Sequence, residues 1–320
     1  MTKTYFDEIR AFALRQGFDR VYALPPKRFD GWLSAMGAVG EDHRARRLLA
    51  DPFALLPSVT AVIVLIAKYR PFSAFPRGFG RIPAYYLLSQ QTREWAKAVA
   101  AFIEETAGKQ ALASPRLPHR AAAILAGAGQ RGLHQLLLTP GLGSFINISL
   151  VLTDAFDAPE PDPAPSLCTG CGACAAACPT QALAGDGTWD YRRCLRHQMS
   201  VNAFGPEARE SLGTLLGCEI CQTACPVNRA FVSPVPAPAD IVSAFELGPI
   251  LNLRHDPALK KRLGGLIGSN LLRGNRLTNQ ALVLTARQGL TEHRRAVEVL
   301  LNDPNPVTAE LAAWALTRLG

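Results

Sequence analysis

The 320 residues predict three parts in order: an α/β segment, a cysteine-rich module, and an all-helical segment whose short helices pair in a HEAT-like way. Three observations carry this. The β-branched apolar run Val59 to Ala67 reads as a strand covered on both faces, and helical patterns flank it. All eight cysteines fall between Cys168 and Cys225. Beyond about residue 240, apolar residues recur at helical spacing and no strand-like stretch is visible.

The elements follow in chain order. Tyr5 to Gln16 is an amphipathic helix stopped at Gly17, and Arg20 to Leu24 a short strand before Pro25 and Pro26. After the Val59 to Ala67 strand, Gln90 to Thr106 carries Trp95, Val99, Phe102 and Ile103 on one helical face and ends at Gly108. Arg120 to Ala128 is a small-residue helix ending at Gly127 to Gly129, and Ser144 to Thr153 a further strand. Prolines 159, 161, 163 and 165, and then 234, 236 and 238, form two stiff linkers. They place domain boundaries near 160 and 238, giving domains 1–160, 161–238 and 239–320. In the last, Leu277 to Arg287, Ala296 to Leu301 and Val307 to Leu319 are helices, with Pro304 and Pro306 breaking the chain between the latter two.

Composition narrows the class. With 48% hydrophobic and 19% charged residues, the chain is globular rather than disordered. Its longest apolar run, Ala61 to Ala67, falls far short of the roughly 20 residues of a membrane-crossing helix, so no membrane partner is expected. The N-terminus carries Asp7 and Glu8 and no apolar core of signal-peptide length, so a cytoplasmic protein is expected. The net charge of +8 suits a polyanionic partner such as RNA and equally suits a generic basic protein. In the tail, basic residues bunch at 260–262, 273–276 and 294–295, forming either a solvated face or a ridge that contacts phosphates.

The cysteines carry the chemistry. Cys168, Cys171, Cys174 and Cys178 fall in a C-x2-C-x2-C-x3-C-P run, the spacing that holds a 4Fe–4S cluster in bacterial ferredoxins. Gly170 and Gly172 allow the tight turns such a loop needs. A second set follows: Cys194, then Cys218-x2-Cys221-x3-Cys225-Pro226. Eight cysteines complete two clusters. The crossed ferredoxin pattern assigns Cys168, Cys171, Cys174 and Cys225 to one, and Cys178, Cys194, Cys218 and Cys221 to the other. Two zinc sites are the alternative, but zinc leaves the triple run and the paired Cys-Pro endings unexplained. The 23 residues between Cys194 and Cys218 exceed a simple ferredoxin's spacing and are expected to shape a docking surface.

These motifs, C-P-T-Q-A-L after the first set and G-C-E-I-C-Q-T-A-C-P-V-N at the second, resemble the epoxyqueuosine reductase family. So do Gly17-Phe18-Asp19, Asp51-Pro52 through Val59, and Leu138-Thr139-Pro140 with Gly143-Ser144 beyond. Reductive dehalogenases and iron–sulfur activators of corrinoid methyltransferases share parts of the pattern. The resemblance implies a cobalamin-type α/β domain ahead of a two-cluster ferredoxin-like module and the helical tail. It implies electron flow from a low-potential flavodoxin- or ferredoxin-type donor through two 4Fe–4S clusters to cobalamin, and reduction of epoxyqueuosine in tRNA bound by the basic tail. It further implies an acidic proton donor.

Here the family's acid-bearing stretch reads A-S-P-R-L-P-H-R-A, from Ala113 to Ala121, with His119 before Arg120. The family's G-K-N reads Gly132-Leu133-His134, and its D-Y-H reads Ala84-Tyr85-Tyr86. His119, His134 and Tyr85 are therefore the proton-donor candidates, each weighed against an ordinary structural role. Gly141, Gly143 and Ser144 either let backbone approach a corrin ring or simply form a turn. Three other functions stay open: an activator that reduces cobalt on a partner corrinoid protein, a cobalamin-dependent reductase of another substrate, and a binding protein with clusters as structural staples.

Overall fold

The computed structural model describes residues 4–30, 51–113 and 115–320. Helices are α1 (Tyr5–Gln16), α2 (Tyr85–Ala107), α3 (His119–Leu125), α4 (Ala173–Ala176), α5 (Leu195–Val201), α6 (Pro206–Ser211), α7 (Ile220–Ala224) and α8 (Pro226–Phe231). The C-terminal part adds α9 (Ala239–Ala244), α10 (Leu247–Leu251), α11 (Pro257–Ile267), α12 (Arg276–Arg287), α13 (Arg294–Val299) and α14 (Pro306–Leu319). Strands are β1 (Arg20–Leu24), β2 (Ala61–Lys68), β3 (Ala111–Ala113), β4 (Gln130–Arg131), β5 (Leu137–Leu138) and β6 (Ile146–Thr153).

The chain divides into two compact units. The first comprises Met1–Tyr69, Leu88–Cys171 and Pro226–Val232, the second Arg70–Leu87, Gly172–Cys225 and Ser233–Gly320. The cuts fall elsewhere than at the proline-rich stretches near 160 and 238, because the chain passes between the units more than once.

The first unit is built on a sheet of order β1-β2-β6-β3. Each pair is antiparallel: Tyr22 faces Val64, Val64 faces Leu150, and Leu112 faces Leu152. The expected mixture of helices and strands is present without the parallel βαβ crossovers of the usual α/β class. β2 is the strand covered on both faces. Val62, Val64 and Ile66 pack with Leu117, the Ala121–Ala123 stretch of α3 and Leu150. Ile63, Leu65 and Ala67 face the other way, against Ile9 and Ala13 of α1 and Ala96, Val99 and Ile103 of α2. Alternation along the strand thus sends each consecutive side chain into a different core.

Local chemistry sets the ends of these elements. Thr4 caps α1 in a reciprocal pair with Asp7, and Gly17 ends it at φ +122°, where a Cβ would lie 2.7 Å from the Trp95 ring. β2 starts at Ala61 rather than Val59, because the Val59 amide closes a turn onto the Leu56 carbonyl. α2 starts at Tyr85, five residues before the expected Gln90, just after Pro83. α3 stops at Leu125 because Gly127, at φ +69°, turns the chain. β6 starts at Ile146 rather than Ser144, because the Ser144 amide donates to Asn228 Oδ1 at 2.7 Å instead of joining the sheet. β3, β4 and β5 were not expected; two or three residues are too few to show a period.

In the second unit, short helices carry the cysteines and longer ones form the C-terminal part, with no strand among the described residues after 240. α12 is buried nearly all round and packs against α14. Its buried polar side chains bond outward. Thr278 donates to the Ile250 carbonyl, Asn279 to Asn202 Oδ1, and Gln280 to the Met199 carbonyl. α5 and the turn after it are thereby tied to α12. α11, with Gly264 and Gly265 in its sequence, was not expected as a helix; Asp256 caps it at the Leu259 amide.

Leu65→Ala should lower the stability of the folded protein by about 2–5 kcal/mol, because it empties space in the core between β2 and the α1 and α2 helices. A shift of the denaturant midpoint at unchanged slope checks it.

Candidate metal centre

All eight cysteines are free of disulfides. In the second unit, Cys174 lies on α4, Cys178 follows it, Cys194 precedes α5, Cys218 and Cys221 bracket the start of α7, and Cys225 ends it. Gly172, the N-cap of α4, makes the turn after Cys171 at φ +71°. α4 and α7 pack together, which brings the Cys174 and Cys221 helices side by side. The loop before α7 is held by Gly217 at φ +67°, where a Cβ would lie 3.0 Å from Pro83 and from the Tyr86 hydroxyl. Cys178 Sγ accepts the Ala182 amide at 3.3 Å and lies 3.7 Å from the Thr180 hydroxyl.

Electrostatics show which sulfurs are gathered. Burial pushes the Cys194 thiol up, and Cys178 pushes it further, against backbone hydrogen bonds from His197 and Arg196. Burial raises Cys218 to about 11, with Cys194, Cys178 and Glu219 adding to the rise. Cys221 is also raised, first by burial and then by Cys218, Cys194, Cys178 and Cys174. Cys178, Cys194, Cys218 and Cys221 therefore feel one another, and Cys174 reaches the edge of the set. Cys194, Cys218 and Cys221, whose ionisation is opposed by burial, suit together with the neighbouring Cys178 a cationic centre, which holds thiols as thiolates and reverses that penalty. Among the described residues, no group of three or more His, Cys, Asp or Glu side chains closes on a single metal ion.

Of the other four cysteines, Cys174 and Cys225 are buried in the second unit, while Cys168 and the exposed Cys171 belong to the first. Cys168 Sγ accepts the Leu133 amide at 3.4 Å.

The proton-donor candidates have distinct surroundings. His134 sits in the β4–β5 hairpin loop and is 5% exposed. Its Nδ1 accepts the Leu136 amide at 3.1 Å, so the neutral ring carries its proton on Nε2, which is buried without a partner. Burial, and then the Arg120 guanidinium, lower its pKa to about 4. Arg120 also donates to the Gln135 carbonyl, so the residue after His119 holds the loop that carries His134. The His119 ring faces two carbonyls, Ile148 at 2.8 Å from Nδ1 and Pro115 at 3.2 Å from Nε2. Tyr85, 37% exposed, meets Tyr86 edge to face at 5.5 Å. Tyr86 is the buried member of the pair and packs against Gly217, with the Arg196 guanidinium 6.0 Å from its ring centre. In the acid-bearing stretch of the resemblance, Ser114 lies outside the described residues.

Gly143 and Ser144 are buried against Asn228 of α8. A Cβ on Gly143 would lie 2.4 Å from Asn228 Oδ1, and Asn228 Nδ2 donates to Ser144 Oγ at 2.9 Å. Gly141, at φ +74°, is the exposed one of the three. Asn228, the last residue of the C-P-V-N string, and Glu219, inside C-E-I-C, were not picked out from sequence, though each lies in a motif the spacing had marked.

A family model for the 4Fe-4S double cluster binding domain matches residues 167–228, a span that contains all eight cysteines. The class is thus a double-cluster iron–sulfur protein. The epoxyqueuosine reductase of Listeria monocytogenes is 35% identical over 208 residues, covering 62% of this chain and 54% of that protein. That of Gloeobacter violaceus is 32% identical over 218 residues, covering 63% of this chain and 67% of that protein. A crystal structure of an epoxyqueuosine reductase with an epoxyqueuosine-modified tRNA stem loop superposes with a TM-score of 0.81 at 23% identity, covering 98% of this chain and 90% of that one, and shares its fold. The chain belongs to the epoxyqueuosine reductase family. Its matches span little more than half the length of the first curated relatives, 54% for Listeria and 57% for Bacillus subtilis.

Because His134 is held neutral, protonating it opposes folding. Its contribution is complete above pH 6.5 and is lost as pH falls toward about 4. At pH 5 the protein should be destabilised by roughly 2 kcal/mol relative to neutral pH through this group alone. His134→Asn, which keeps an acceptor for the Leu136 amide, should remove that part of the pH dependence, as read from denaturant midpoints at pH 7 and pH 5.

Proposed function

We propose that this chain is a cobalamin-dependent reductase that converts epoxyqueuosine in tRNA to queuosine, drawing electrons through two 4Fe–4S clusters. The gathered thiol set of Cys178, Cys194, Cys218 and Cys221 carries the reading, together with membership of the family. In this reading those four cysteines hold one cluster, and Cys168, Cys171, Cys174 and Cys225 hold the other. The clusters would supply one-electron carriage at low potential, tuned by burial and by hydrogen bonds to sulfur such as those on Cys178 and Cys168.

The first unit suits a large amide-fringed ligand such as cobalamin. His134 Nε2 and Thr139 Oγ1 are buried without partners, one in the β4–β5 hairpin and the other just after β5, and Gly141 is exposed in the next turn. Both atoms can donate to amide carbonyls of the kind that fringe a corrin ring. Gly143 and Ser144 would act behind this surface, through Asn228. Bound cobalamin would supply the two-electron reduction of the epoxide, whose oxygen leaves as water after uptake of two protons. His134, neutral with Nδ1 occupied, fits a hydrogen-bond donor rather than an acid at pH 7. His119, facing two carbonyls, fits the positioning of α3. Tyr85 is left as the proton-donor candidate.

The basic residues of the C-terminal helices, read as HEAT-like pairs, would face the tRNA backbone, and a low-potential flavodoxin- or ferredoxin-type protein would donate electrons. The functional division into 1–160, 161–238 and 239–320 belongs to the same reading. No helix among the described residues is long and apolar enough to cross a membrane. Free cysteines throughout accord with a reducing, cytoplasmic setting. The absence of Asp and Glu from Ala113 to Ala121 favours a second reading, reductive activation of a partner corrinoid protein.

Anaerobic reconstitution should give about eight irons and one cobalamin per chain, and loss of the epoxide from epoxyqueuosine-tRNA by mass spectrometry. Cys221→Ser should remove one of two cluster signals and abolish turnover. Eight irons with no bound cobalamin and no turnover would move the protein to the activator reading.

A further inference from the structure

Glu219 stands between Cys218 and Cys221 and is 3% exposed. A buried carboxylate beside thiolates is electrostatically unfavourable, and its field is among the influences that raise the Cys218 thiol. Arg81 meets it: Nη2 donates to Glu219 Oε2 at 2.6 Å, and Nε donates to the Phe72 carbonyl at 3.2 Å. The segment around Arg81 is fitted to the loop that carries Cys218. The Arg81 carbonyl accepts the Leu215 amide at 2.7 Å. A Cβ on Gly80 would strike Leu215, and one on Gly217 would press on Pro83 and Tyr86.

A buried ion pair of this kind contributes little net stability compared with an apolar pair of the same shape, so stability alone does not account for it. Its position does. A four-thiolate 4Fe–4S cluster is already anionic and gains further negative charge on reduction, so a bare carboxylate beside it opposes the incoming electron. We propose that Arg81 is a positioning residue for the second cluster: it neutralises Glu219 and orients it beside Cys218, and the Arg81–Glu219 pair sets that cluster's reduction potential. This rests on the reading that Cys178, Cys194, Cys218 and Cys221 hold one cluster.

The test is an EPR-monitored potentiometric titration of the full, reconstituted chain. Glu219→Gln should move the midpoint of one cluster signal positive and leave the other in place. Arg81→Met should move the same midpoint negative, Arg81→Lys should lie near wild type, and the Arg81→Met/Glu219→Gln double variant should return toward it. Should Arg81→Met fail to load iron while the double variant loads it, the charge role is again supported. Wild-type midpoints in iron-complete Glu219→Gln and double variants would overturn the proposal. So would equal shifts of both signals, or an iron-free double variant beside an unshifted Glu219→Gln. Failure of the underlying reading is seen separately, as a wild-type chain that does not carry two cluster signals.

Discussion

Sulfur that is buried and crowded is the constraint on which the second unit depends. Cys218 and Cys221 are thiols whose ionisation burial opposes, and each neighbouring thiol opposes it further. Such an arrangement is poor as a set of free thiols and good as a set of ligands, because a cationic centre turns the mutual repulsion of thiolates into shared attraction. Much of the surrounding architecture serves this. Helices of four to seven residues change the chain direction between ligands, and Gly172 and Gly217 take backbone conformations that other residues adopt only with strain. The Arg81–Glu219 pair sets a positive charge against the buried carboxylate of the C-E-I-C loop.

The first unit solves a different problem. Its central strand is so apolar that it requires cover on both faces, and the α1–α2 and α3 sides provide it. Two of its buried polar atoms are left without partners, His134 Nε2 in the β4–β5 hairpin and Thr139 Oγ1 just after β5, and Gly141 is exposed in the next turn. The hairpin is short but heavily bonded. Gln135 takes φ +67°, its carbonyl receives Arg120, its side chain donates to the Leu133 carbonyl, and the Leu133 amide reaches Cys168 Sγ. A loop fixed this firmly holds its buried imidazole N–H in one direction.

The difference between a titrating and a fixed imidazole changes the chemistry assigned to a histidine. His134 is a proton-donor candidate by residue type, since histidine commonly titrates near neutrality. In its actual surroundings burial and Arg120 keep it neutral, and the Leu136 amide occupies Nδ1. What remains is a directed N–H group. Similarly, two glycines one residue apart that suggest open backbone have different tasks: Gly143 makes room for Asn228, while Gly141 is exposed.

By itself the sequence determined the features that depend on local periodicity and spacing. Elements with a clear apolar period and a sharp stop lie where expected: α1 and β1 match, and α12 and α14 differ by a single residue at the start. The eight cysteines declared their chemistry, because cluster geometry restricts the number of residues between ligands. Only the tertiary structure decided the antiparallel order of the sheet, since strand pairing is a choice among distant segments with similar apolar patterns. It likewise decided that Ser144 leaves the strand for Asn228, 84 residues away, and that Arg81 answers Glu219 across 138. Such pairings stay hidden in a linear chain because their energy comes from burial and charge compensation, and both exist only once remote residues share the same low-dielectric space.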